Sequence, residues 1–281
     1  PAHSSSETTI TKLAGMTLQE LRDFHINEIE KVYLPMWNDR RIDRQYGGVR
    51  PYLNADGTYQ REGKEMYYLG RAVWTFSYLY NNFGKRKDHL DIAEKTIRFI
   101  YKYGRAGKGV WNSEFTREGK VTLGSFNIYG DMYVVLGLGE YFKATGNREA
   151  LDTAIETAHS VTERIVSPAY MHLAGHGPGN EPGTKRLGTW QHFLSALTPL
   201  ARYSKGDFGV EMMARMCVYN ILKRHWHPEL GVCFEQLDDQ FQPYPPDPTR
   251  NNRGISGWHS IQASWMCMDE SLRIGNKTNF M

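Results

Sequence analysis

The residues able to carry chemistry in this 281-residue chain fall in three stretches. The first runs Asp43-Arg44-Gln45-Tyr46-Gly47-Gly48-Val49, passes Asp56-Gly57, and continues from Lys64 through Arg71-Ala72-Val73-Trp74-Thr75-Phe76-Ser77. The second is Gly188-Thr189-Trp190-Gln191-His192-Phe193, and the third runs from Phe234-Glu235 through Asp238 to Gly257-Trp258-His259-Ser260-Ile261-Gln262. Histidine titrates near neutrality, so His192 and His259 suit proton transfer. Arg71 lies seven residues after Lys64 and three before Trp74, which on a helix puts all three near one face, and a guanidinium there can hold a developing oxyanion. Gln262 shares the face of His259 at i+3, and Trp258 starts that helix beside a long loop. Read alone, each residue also has a structural role open to it: a salt bridge for Arg71, a satisfied interior position for His259, a solvated loop for Glu235.

Other chemistries find weaker support. A carboxylate-driven inverting glycosidase would draw on Asp43, Glu114 and Glu235, although Asp43 in its Gly-Gly loop reads as structural. Metal binding is not expected: His172 and His176 stand in Gly-Pro-rich sequence, His225 and His227 precede Pro228, and no carboxylate or cysteine cluster completes either pair. His225, near a helix C-terminus, would complement the helix dipole. There is no Gly-x-Ser-x-Gly elbow and no Walker pattern.

A net charge of +3 gives no reason to expect nucleic acid as a partner, and no apolar run is long enough for a membrane helix. Cys217, Cys233 and Cys267 form neither a disulfide framework nor a zinc pattern; free thiols fit a reducing, cytoplasmic setting. The start, Pro1-Ala2-His3-Ser4-Ser5-Ser6, reads as a processed or disordered tail over residues 1–16. Aromatics reach 13%, a composition that suits either a sugar-lined cleft or a tyrosine-rich helical core.

The elements that must position these residues are helices. Thr17 and Glu20 form a capping box, Leu18, Leu21, Ile29 and Val32 follow at helical spacing, and this helix should stop near Pro35. Val49 to Leu53 alternate as part of a hairpin. Further helices are expected at about 64–83, 88–103, 127–145, 147–166, 189–205, 207–226 and 257–274. Short gaps between them alternate with long glycine-rich ones, so the chain reads as one all-α domain, 1–281, of stacked hairpins.

The three stretches, in order and spacing over residues 17–276, resemble the N-acylglucosamine 2-epimerase family, which includes cellobiose 2-epimerases and aldose–ketose isomerases. The resemblance implies an (α/α)6 barrel with a sugar site at one end of its axis. Twelve helices need roughly 300–400 residues, so by resemblance about four C-terminal helices are missing, either because the sequence is a fragment or because the family fold is incomplete here. It also implies proton transfer at C2 of an open-chain aldose through an enediolate, with no metal or redox cofactor. The substrate would be a mono- or disaccharide of the N-acylglucosamine, mannose or cellobiose type, and a homodimer is permitted. Residue by residue, the resemblance makes Arg71 the oxyanion partner, His259 the base and His192 a residue near the ring oxygen. Tyr129, Glu235, Gln262, Lys64 and Trp258 would contact substrate. Gln262 stands where the family carries Glu, and Gly188 where it often carries Asn. A relative with an altered site would instead survive as a carbohydrate- or protein-binding module.

Overall fold

The computed structural model describes residues 11–125, 127–168, 170, 182–244 and 254–275. The first cap forms as its spacing dictates: Glu20 N–H donates to Thr17 Oγ1 at 3.2 Å, and Thr17 N–H donates to Glu20 Oε2 at 2.7 Å. Helix α1 (Leu18–Asn27) does not stop at Pro35. It runs on through a wide-turned segment Glu28–Tyr33, the short α2 (Leu34–Met36) and a second wide-turned segment, Trp37–Arg41. The Leu34 N–H already bonds back to Ile29 O, so the turn is widened where proline enters. Pro35 follows in α2 and gives no N–H, and the widened turn leaves room for its ring.

Three antiparallel hairpins and a further helix follow. They are α3 (Met66–Asn82) with α4 (Lys87–Tyr103), α5 (Ile128–Thr145) with α6 (Arg148–Ile165), α7 (Leu187–Ser204) with α8 (Phe208–Tyr219), and α9 (Gly257–Arg273). The side chains of Asn127, Asn147, Asp207 and Ser256 cap α5, α6, α8 and α9. The expected hairpin after Val49 is reduced to single bridges, Ile42 to Val49 and Leu53 to Tyr59.

Helices α3, α5, α7 and α9 pack side by side and parallel. Gly130 of α5 lies against Met66 of α3, Tyr203 of α7 reaches Glu140 of α5, and Gln191 and Arg202 of α7 reach Gln262 and Asp269 of α9. Helices α4, α6 and α8 back them from outside. Between the two rows lie Leu69, Val73 and Phe76, Val135 and Leu138, and Phe193, Leu194 and Leu197, all buried. The long loops deliver short strands to the end where α3, α5, α7 and α9 begin. Lys64–Glu65 pairs with Glu114–Phe115, and Lys185–Arg186 with Gln236–Leu237. At the opposite end, Asn81 Nδ2 and Tyr203 OH both donate to Glu140, at 2.6 and 3.3 Å, clasping α3, α5 and α7 together.

Helices α3 and α5 touch backbone to backbone. A Cβ on Gly70 would sit 2.5 Å from the Tyr133 carbonyl carbon, and one on Gly137 would sit 2.6 Å from Gly70 O. Neither obstacle is a flexible side chain, so the helices themselves would have to part. Gly70→Ala should therefore destabilise the fold by about 1–3 kcal/mol, despite alanine's better helix propensity. Urea denaturation checks this; a variant as stable as wild type would show that the two helices can separate freely.

Candidate active site

The first two turns of α3, α5, α7 and α9 converge, and each contributes one residue that the sequence singles out. Arg71 lies in the second turn of α3, Tyr129 in the first of α5, His192 in the second of α7 and His259 in the first of α9. Four helix N-termini thus present partial positive charge to one place, where a developing anion gains from them.

Arg71 is held by aromatic faces. Its guanidinium carbon lies 5.3 Å from the Tyr67 ring centre and 5.1 Å from that of Tyr133, and Nη1 donates to Tyr67 OH at 3.0 Å. No carboxylate pairs with it among the described residues. Tyr133 continues the wall, its ring 6.0 Å from His192, while Tyr129 meets His192 edge-on at 5.2 Å. Burial pushes the Tyr129 hydroxyl's pKa up. Gly188 makes room for this group: a Cβ there would come within 2.9 Å of Tyr129 OH.

His192 Nδ1 is 2.7 Å from the carbonyl of Gly188. A carbonyl only accepts, so the proton sits on Nδ1 and Nε2 keeps its lone pair. Burial lowers the His192 pKa, the Gly188 carbonyl opposes this, and nearby His259 and Arg71 lower it further. His192 is therefore a neutral imidazole at pH 7. The His259 ring stands perpendicular to it at 6.4 Å, and its Nδ1 lies 2.7 Å from Glu235 Oε2. That bond directs Nε2 away from the carboxylate as the available base. Trp258 leans on His259 at 4.7 Å and is 61% exposed, an open apolar face beside the base.

Other expectations are corrected. Lys64 is not a substrate ligand: its buried ammonium donates to Gly47 O and Arg117 O at 2.7 Å each and pairs with Asp43 at 3.1 Å. All three N–H groups are committed, so the lysine locks the 43–48 loop to the strand. Gln262, expected to contact substrate, has its Oε1 accepting from Gln191 Nε2 at 3.1 Å and ties α9 to α7. Glu235 is the imidazole's partner rather than a free loop carboxylate. The glycosidase set also disperses. Burial alone would raise the Asp43 pKa, yet Arg117, the Tyr46 N–H and Lys64 hold it down to about 2, and Glu114 faces Arg61. His172 and His176 lie outside the described residues. Among the described residues, no three His, Cys, Asp or Glu side chains gather as a metal site.

His225 does not complement a dipole. Its Nδ1 bonds to Phe234 O at 2.8 Å, and burial drives its pKa down to about 4. Between there and the unfolded value of 6.5 the unfolded chain binds the extra proton, so stability rises with pH across this window. The contribution is about 3 kcal/mol, present above pH 6.5 and lost as pH falls toward 4. Denaturation curves at pH 5 and pH 7.5 should differ accordingly, and a His225→Gln variant should show a flatter dependence.

A cleft of about 300 Å³ opens beside the dyad, lined by Arg186, Glu235, Gln236, Gly254, Ile255, Ser256 and His259. A larger hollow of about 590 Å³ runs along α6, past Lys108, Asp152 and His159, so size does not locate the chemistry. Sequence reasoning missed Tyr67, Tyr133, Arg186 and Gln236. The tyrosines had a legible signal, since Tyr67 precedes Arg71 by four residues and Tyr133 follows Tyr129 by four.

The family model for N-acylglucosamine 2-epimerase (GlcNAc 2-epimerase) matches residues 47–186. The chain is similar to the N-acylglucosamine 2-epimerase family. The mouse N-acylglucosamine 2-epimerase is 25% identical over 271 residues, covering 92% of this chain and 62% of the relative. A cellobiose 2-epimerase from Dictyoglomus turgidum is 27% identical over 278 residues, covering 92% and 67%. The solved cellobiose 2-epimerase from Bacillus thermoamylovorans B4167 superposes with a TM-score of 0.78 at 20% identity, over 92% of this chain and 68% of that one. This likeness establishes the fold as that of the (α/α)6 barrels. The chain thus spans less than two thirds of the mouse relative's length. Within this fold, Arg71, His192 and His259 occupy one rim, and no helix among the described residues is long and apolar enough to cross a membrane.

Proposed function

We propose that the protein moves the C2 proton of an aldose, as a sugar 2-epimerase or aldose–ketose isomerase. The observation that carries this reading is the Glu235–His259 pair at 2.7 Å, standing with neutral His192 on a wall that Tyr133 extends to Arg71. His192 Nε2 takes the anomeric hydroxyl proton as the C1–O5 bond opens and the ring oxygen takes a proton from water. The C1 carbonyl then acidifies the C2–H bond. His259 Nε2 removes that proton, its electron pair forms the C1–C2 double bond, and the carbonyl pair moves onto O1. Arg71 and the four helix N-termini face the resulting enediolate charge, while Glu235 steadies the imidazolium. Return of a proton to the other face of C2 gives the epimer; return to C1, with the O2 proton passing to O1, gives the ketose. Trp258 offers its face to the sugar's apolar side.

The test is proton NMR in D2O with mannose, glucose, N-acetylmannosamine and cellobiose. Loss of the C2 proton signal on at least one sugar is expected; four unchanged spectra would overturn the reading.

A further inference from the structure

Gln236 lines the cleft beside the dyad and has no part in the chemistry above. Its side chain is 1% exposed, and its Oε1 meets no hydrogen-bond donor among the described residues. Buried amide oxygens are normally satisfied, because leaving one bare sacrifices its hydration with nothing in return. Gln236 is one of the residues lining a cavity that also holds Glu235 and His259, so a molecule bound there can supply the donor once the side chain turns toward it. The rest of the lining narrows what that molecule carries. Arg186, the cross-strand partner of Gln236, and Glu235 place opposite charges in the same cleft, while Ser256 adds a hydroxyl. Walls of balanced charge favour a neutral polar group over an ammonium or a phosphate, either of which would meet one repelling wall.

We infer that Gln236 is a specificity-determining residue: its Oε1 accepts a hydrogen bond from a neutral donor, a hydroxyl or an acylamide N–H, on the sugar in this cleft. The identity of the ligand as a sugar rests on the function proposed above; the need for a donor rests on the orphaned oxygen alone. A site built around such an acceptor discriminates against analogues lacking the donor, because they leave it unpaired again.

The test reads binding without turnover. Titration calorimetry on wild type, Gln236→Leu and Gln236→Met would use mannose, N-acetylmannosamine and singly deoxygenated mannoses, with thermal melting of each unliganded protein alongside. Both variants remove the orphaned atom, so they should melt at or above the wild-type temperature while binding sugar about tenfold more weakly. For a hydroxyl donor, one deoxy sugar should lose the same tenfold on wild type and nothing more on the variants. For an acylamide donor, the variants should lose affinity for N-acetylmannosamine and keep it for mannose. Wild-type affinities in both variants, or no sugar binding by wild type, would overturn the inference. Gln236-dependent binding without any C2 exchange would instead sink the enediolate reading and leave this one standing.

Discussion

His259→Ala is expected to slow exchange of the substrate C2 proton by about a thousandfold while leaving sugar affinity close to wild type. The ring's Nδ1 is occupied by Glu235, so what the variant removes is the unpartnered Nε2 and with it the base. Binding should survive because Trp258, Arg71 and the cleft lining remain. Glu235→Gln is the companion experiment. The amide oxygen can still accept from Nδ1–H, so the ring keeps its place, but the charge that stabilises the imidazolium is gone, and exchange should fall by about a hundredfold. Since the two residues act as a unit, the double variant should be no slower than His259→Ala alone. Wild-type exchange in His259→Ala would remove this residue from the mechanism.

Arg71→Lys is expected to lower kcat by about 10²–10³-fold with little change in KM or in melting temperature. Lysine keeps the charge but lacks the flat fork that lies against Tyr67 and Tyr133 while donating to Tyr67 OH. Stability should hold because no carboxylate loses its partner. An arginine whose role was to bridge helices would show the opposite pattern, with melting temperature falling and kcat nearly unchanged. Steady-state kinetics and a thermal melt on the same preparation separate the two.

Much of the fold was legible because its signals are local. Thr17 with Glu20, the caps at Asn127 and Asp207, and Gly146 at φ +71° each act within one turn, and α3 to α7 and α9 fall within about two residues of their expected spans, while α8 passes into wide turns over Asn220–His225. Pro35 was misread since a widened turn upstream already met its steric demands, and nothing in the residue types announces that turn. Lys64 was misplaced for a geometric reason. The seven-residue spacing to Arg71 is helical only if the helix includes Lys64, yet α3 begins at Met66 and the lysine sits on a strand turned toward Asp43. Gln262 does lie one turn from His259, but the neighbour it meets is Gln191 on α7. The Glu235–His259 pair spans 24 positions and joins a strand-side loop to a helix start. Such a contact depends on how the strands dock and leaves no periodic trace.

The clasp of Asn81 and Tyr203 on Glu140 lies at one end of the helix row, and the loops bearing Glu235 and Gln236 lie at the other. One tie between the helices therefore stands at the pole away from the chemistry. The loops bearing Glu235 and Gln236 can change while the clasp on Glu140 goes on joining α3, α5 and α7. Varied loops on a constant row of helices are a natural outcome of that separation.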